Sequence, residues 1–237
     1  FKFAARMATI FYDRIINDSD EMHKVYLKLF NAKSNVIAYG APNINSDNKS
    51  LISRFGVVCN NYYLVIGRLI PDNNADLIIN GFLKSSSKKS LIIVGDVPYK
   101  DKYSKKMKNI NSPRIILPGY VKDPKVLLEL YKNSYVYIHG HEFGGTNPTL
   151  IKALAYGTAI LALDTPFNRE MLQNDKFGLF FKKESSSIRD LIEFCECNKN
   201  DIMDMKKQSH HGITKKYDWK FITESYIDEF SSVVIKN

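Results

Sequence analysis

The residues best equipped for chemistry sit between two apolar runs, 135–138 and 159–163, in the stretch SYVYIHGHEFGGTNPTLIKALAYGTAILALD at 134–164. A polar elbow at 139–148 separates the first run from a helix-like segment at 149–156, and Gly157 leads into the second run. The pattern is that of a strand, loop, helix and strand. The elbow opens with His139, His141 and Glu142, which can hold or move a proton, and continues with Gly144, Gly145, Thr146 and Asn147. Ligands of a parallel α/β sheet bind outside the carboxyl ends of its strands, where such an elbow lies. Its content suits an anion. The two glycines admit backbone N–H groups close to a ligand, Thr146 and Asn147 are good helix caps, and Pro148 fits a first helical turn. That leaves N–H groups and the positive end of a helix dipole facing the ligand. The same residues equally describe a well-capped helix of an ordinary α/β domain, and the spacing leaves both open. His139 and His141 could also form a metal pair, but no third ligand is evident nearby, and no metal site is assigned.

Those residues need a scaffold, and the rest of the chain supplies one. Apolar strand-like runs recur at 62–67 (YYLVIG), 91–95 (LIIVG), 114–117 (RIIL), 135–138, 159–163 and 178–181, alternating with helical stretches such as 75–83. Such alternation predicts a parallel sheet wrapped by helices on both faces, with all strand ends on one side. Gly67 and Arg68 follow the first of these strands, Gly95 and Asp96 the second, and Tyr120 and Val121 the third. Gly95-Asp96, running on into Pro98 and Tyr99, is also consistent with a plain turn. Glu170 falls in the first turn of a helix after Asp164, where an acidic cap is favoured. Upstream, 3–12 is apolar at helical spacing, 14–17 and 35–39 read as short strands, and Asp18 or Ser19 can cap a helix at 21–30. Polar residues at 43–54 have linker composition. At the other end, Trp219, Ile222, Tyr226, Ile227 and Phe230 recur at helical spacing.

With 237 residues, 44% hydrophobic and 12% aromatic, the chain can bury a substantial core as one large or two small domains. It has no run of eighteen apolar residues, and its opening, FKFAARMATIFYDRII, is too mixed for a signal peptide. That opening lacks an initiating Met, so a fragment is expected. Three cysteines, Cys59, Cys195 and Cys197, have no metal-ligand spacing and suit a reducing cytoplasm. The net charge of +9 is carried by lysines clustered at 100–108, 182–183 and 206–216. No recognition-helix or RNP-like pattern accompanies them, which argues against nucleic acid, while peripheral contact with an anionic membrane fits. Hydrolase, zincin, nucleotide triphosphatase and nicotinamide dehydrogenase signatures are all missing.

The stretch 134–164 resembles the donor-binding core of GT-B glycosyltransferases of the family 4 type, and especially a GGTNP-bearing group that includes bacterial rhamnosyltransferases. The resemblance implies an α/β fold: a GT-B C-terminal Rossmann-like domain at 51–205. Residues 1–50 would be the end of the acceptor domain and a linker, and 206–237 C-terminal helices crossing back to it. It implies that Arg68 faces a donor diphosphate, a task suited to a permanently charged fork. Asn73 stands where relatives often carry a lysine, Gly95-Asp96 matches a family turn, and the backbone of Tyr120 and Val121 would face the nucleotide base. The family usually has two glutamates eight positions apart; here Gly144 and Lys152 stand in their places. His139, His141 or Glu142 would then face the sugar. The implied reaction moves a sugar from a nucleotide-diphosphate donor to a glycan or lipid-linked acceptor of a cell-surface polysaccharide, in the cytoplasm at the inner face of the membrane. No cofactor is implied; the nucleotide-sugar is a substrate, and UDP or dTDP the product. A subunit that binds nucleotide-sugar without turnover, and a nucleotide-sugar epimerase, are the alternatives.

Overall fold

A computed structural model describes residues 2–96 and 102–234. Pro98, Tyr99 and Lys100 lie outside them. The apolar runs form a six-stranded parallel sheet of β3 (Tyr62–Ile66), β4 (Ser90–Val94), β5 (Ile115–Gly119), β6 (Val136–His139), β7 (Ile160–Leu163) and β8 (Leu179–Phe181), in the order β5-β4-β3-β6-β7-β8. Alternate side chains feed two separate cores. Tyr62, Leu64, Ile92, Tyr137 and Ile160 pack into one, and Tyr63, Val65, Leu91, Val136 and Leu161 into the other. Burial on both faces is why these strands read as continuous apolar runs rather than alternating ones.

The first core is closed by α5 (Pro124–Asn133) and α6 (Pro148–Ala155), the second by α3 (Ala75–Leu83) and α8 (Ser185–Cys197). The shorter α4 (Lys102–Lys108) and α7 (Pro166–Met171) follow β4 and β7, and α9 (Lys199–Ser209) follows α8. The order places a reversal between β3 and β6: the chain winds outward from β3 through β4 to β5, then returns to lay β6, β7 and β8 on the other side. Loops leaving β3 and β6 therefore diverge to opposite faces and leave a crevice at their carboxyl ends, where ligands of such sheets bind.

Ahead of the sheet stand α1 (Lys2–Phe11), β1 (Ile16–Asn17), α2 (Asp20–Phe30) and β2 (Asn35–Val36), with β1 and β2 parallel. Both strands are shorter than the expected 14–17 and 35–39. Pairing ends one hydrogen bond after β2, at Ile37 N–H to the Asn17 carbonyl (2.9 Å). The chain then turns under α10 (Trp219–Val234): a Cβ on Gly40 would sit 2.2 Å from the Trp219 ring, and Ala41 N–H donates to the Tyr217 carbonyl at 2.8 Å. Farther along α10, Glu229 accepts from Asn35 and lies 3.7 Å from Arg14. The polar stretch 43–54 is partly ordered, since Lys49–Phe55 is a 3-10 helix with Ile52 buried, and Asn48 N–H donates to the buried Glu129 carboxylate at 2.8 Å. Ser19, not Asp18, caps α2, its Oγ accepting from Met22 N–H at 3.1 Å. Among the described residues no helix is long and apolar enough to cross a membrane.

Candidate functional site

The β3 exit is fixed by its neighbours. Gly67 N–H donates to the Val94 carbonyl (3.0 Å) and Leu69 N–H to that of Asp96 (2.9 Å), so the turn carrying Arg68 continues the ladder with β4. Gly95 has a φ of +153°, and a Cβ there would lie 1.9 Å from the Gly67 carbonyl oxygen; the two turns meet only because that side chain is absent. Asn73 then holds the loop. Its Nδ2 donates to the Arg68 carbonyl (2.7 Å), which fixes Oδ1 as the acceptor for His141 Nδ1 at 2.5 Å. Asn74 Nδ2 donates to the Gly140 carbonyl (2.8 Å), joining the β3 and β6 loops a second time. Among the described residues the exposed Arg68 guanidinium has no ion pair, so it remains available to an incoming anion.

The elbow after β6 begins with a directed hydrogen-bond chain. Asn147 Oδ1 accepts from Thr149 N–H (2.9 Å) and from Thr149 Oγ1 (2.7 Å), capping α6. With its proton committed there, Thr149 Oγ1 accepts from Tyr137 Oη (3.0 Å), and Tyr137 Oη in turn accepts from His139 Nδ1 (2.9 Å). His139 is therefore the Nδ1–H tautomer. Only 2% of it is exposed, and its Nε2 is a bare acceptor with no partner among the described residues. Burial, with a smaller contribution from His141, pushes its pKa down to about 3. His141 is half-buried, its pKa also lowered chiefly by burial, and its Nδ1 proton points to Asn73. Beyond it, the N–H groups of Gly144 and Gly145 have no acceptor among the described residues, while Asn147 N–H meets only the Met171 sulfur at 3.2 Å. Free N–H groups ahead of a helix of this kind suit an anion.

The opposite wall comes from the N-terminal segment. Thr146 is buried, and its Oγ1 donates to the Asp18 carbonyl. A Cβ on Gly145 would lie 1.7 Å from Asp18 Oδ1. Glu170 secures this contact from behind, its carboxylate accepting from the N–H groups of Asp20 (3.1 Å) and Glu21 (2.9 Å). It caps α2 rather than its own helix α7. Burial raises the Asp18 pKa, with Glu170 adding to it, against lowering by the N–H groups of Asp18 and Thr146.

One cleft of about 370 Å³ thus brings together Gly67, Arg68, Asn73, His139, His141, Gly144, Gly145, Thr146 and Asn147. Gly95 and Asp96 support it from the neighbouring turn. Those two do not line it themselves, and four other expected residues do not line it either. Glu142 turns away to an ion pair with Lys183 at 2.6 Å. Lys152 lies half-buried farther along α6, Val121 is in the core, and Tyr120 is 70% exposed. Asp18 and Tyr39 also line the cleft, although neither was expected as a site residue. The one local signal was that Asp18 could cap α2, which gave no hint of the contact with residue 145. Among the described residues no group of three or more His, Cys, Asp or Glu is placed to hold a metal ion.

Comparison with known proteins agrees with this fold. Over 98% of its length the chain superposes on 67% of Anabaena HepE, solved in complex with UDP-glucose, with a TM-score of 0.86 and 16% identity. It is 21% identical over 220 residues to the alpha-monoglucosyldiacylglycerol synthase of Streptococcus pneumoniae, covering 90% of this chain and 50% of that protein. It is 25% identical over 142 residues to a Campylobacter jejuni N-acetylgalactosaminyltransferase whose named substrate is a diphospho-undecaprenol-linked sugar, covering 58% of this chain and 38% of that one. The chain thus spans half or less of these two relatives. The α/β fold with a parallel six-stranded sheet is that of GT-B glycosyltransferases. The profile of the glycosyl transferases group 1 family matches residues 57–211, which contain the whole sheet and most of the cleft, and the chain belongs to that family.

Proposed function

We propose that this chain forms the donor-binding part of a glycosyltransferase that moves a sugar from a nucleoside-diphosphate donor to a lipid-linked or glycan acceptor. The observation that carries this reading is the convergence, at the strand-order reversal, of the Arg68 guanidinium, without an ion pair among the described residues, with the N–H groups of Gly144 and Gly145 ahead of α6. These donors suit a diphosphate. As the glycosidic bond breaks, negative charge develops on the leaving nucleoside diphosphate, and a fixed guanidinium and oriented amides stabilise it without reorganising. The donor's own phosphates carry the chemistry, so no cofactor enters, and UDP or dTDP leaves as product. His139 and His141, both neutral at ordinary pH, face the sugar end as acceptors. The UDP-glucose bound by HepE and the glycolipid named for the pneumococcal relative support this class of donor and acceptor.

The GGTNP elbow favours the family 4 type and, within it, a dTDP-rhamnose or UDP-hexose donor, with a cytoplasmic site of action at the membrane face. The organisation proposed with it assigns 1–50 to the acceptor domain and linker, 51–205 to donor binding and 206–237 to helices crossing back. A second reading, nucleotide-sugar binding without turnover, is favoured by Gly144 and Lys152 standing in place of the family glutamates. Calorimetric titration with UDP, dTDP, GDP and pyrophosphate tests the donor reading. Micromolar binding of one nucleoside diphosphate is expected, and binding of none would refute it. Sugar transfer by the longer protein then separates enzyme from binding subunit.

A further inference from the structure

Asp18 is an acid with no evident task in the fold. Its carboxyl is half-buried on the wall of the cleft, and among the described residues no side chain donates to it or pairs with it. The fold nevertheless holds it in place with some care. Gly145 has room for no side chain, since a Cβ would meet Asp18 Oδ1 at 1.7 Å and Ser19 Oγ at 2.7 Å, and the buried Thr146 hydroxyl fixes the Asp18 carbonyl. Burying a carboxylate without a cationic partner is unfavourable unless something supplies hydrogen bonds.

A buried acceptor without a donor among the described residues lies in the same cleft. His139, 2% exposed, has its Nδ1 proton committed to Tyr137 and leaves Nε2 without a donor. The cleft therefore carries two kinds of group. Arg68 stands on the turn after β3, whereas Asp18 belongs to the N-terminal wall, its Oδ1 against Gly145. One kind offers donors to an anion, and the other offers acceptors to hydroxyl groups. A bare nucleoside diphosphate satisfies only the first.

We propose that Asp18 accepts a hydrogen bond from a hydroxyl of the donor's sugar, and so selects the sugar-bearing nucleotide over the bare nucleoside diphosphate. The inference rests on the donor-binding reading above. Its chemistry also bears on product release: once the sugar has left, the carboxylate faces an additional phosphate charge with no hydroxyl to bind, which favours departure of the product.

The test compares the nucleoside diphosphate that binds best with its glucose, galactose, N-acetylglucosamine and rhamnose conjugates, by titration of the unmodified chain, Asp18→Asn and Asp18→Ser. Thermal melts of each confirm folding. The expected result is that the best conjugate weakens about fivefold or more in both variants, while the bare nucleoside diphosphate changes less than about twofold or tightens. Equal shifts for both ligands, or no shift for the conjugate, overturn the assignment of Asp18 and leave the donor reading standing. Failure of every nucleoside diphosphate to bind the unmodified chain overturns the donor reading and this inference with it.

Discussion

The two walls of the cleft are built on different principles. The wall carrying Arg68, Asn73, His139 and His141 grows from the ends of β3 and β6 and is locked together by hydrogen bonds around Asn73, Asn74 and Asn147. The wall carrying Asp18 and Tyr39 is brought in from far along the chain and fastened at a few points: Thr146 to Asp18, and Glu170 to the start of α2. The first is rigid because the sheet is. The second is only as firm as its fastenings, which makes it the side able to adjust to the ligand.

The largest effect that sharpens this contrast concerns His139 in the rigid wall. An unfolded chain protonates the ring near its ordinary pKa of 6.5, whereas the native chain resists to about 3. Between those values the unfolded state binds more protons, so the contribution is present above pH 6.5 and is lost as pH falls. The loss from this one group is on the order of 2–3 kcal/mol by about pH 4.5. Urea unfolding at about pH 7 and about pH 4.5 should show a smaller acid-induced loss in His139→Gln. Equal losses would mean the ring is not held neutral.

Next is the joint between the walls. Gly145→Ala drives a methyl into Asp18 and Ser19, and a stability loss of about 2 kcal/mol is expected in the same assay. No loss would show that the far wall is loose enough to retreat. Arg68→Ala should weaken nucleoside diphosphate binding about tenfold while changing stability by less than about 0.5 kcal/mol. A variant that binds undiminished would remove Arg68 from the site. The smallest effect is expected for Glu142→Gln, which breaks a surface ion pair with Lys183 worth less than about 0.5 kcal/mol and should leave titration with nucleotide unchanged. A marked loss of binding would return Glu142 to the cleft.

The same contrast explains what could be read from the residues in order. The sheet and the elbow were legible because their signals are local: fully buried strands leave unbroken apolar runs, and Asn147 followed by Pro148 is a helix start whatever surrounds it. Arg68 and Asn73 were picked out by the family resemblance of the turn after β3. The far wall left no comparable trace, since the contact of Asp18 with Gly145 and Thr146 joins segments with most of the sheet between them. Glu170 illustrates the limit. An acid early in a helix reads as a cap of that helix, yet its carboxylate caps α2 instead. Glu142 was drawn toward the ligand by its neighbours in sequence, but the elbow turns it outward to Lys183.

The most direct measurement is a crystal structure of the chain with the nucleoside diphosphate that titrates best. The diphosphate is expected within hydrogen-bond distance of the Arg68 guanidinium and of the Gly144 or Gly145 N–H, in the crevice between β3 and β6. A nucleotide bound elsewhere, with that crevice free of it, would rule out the crevice as the donor site.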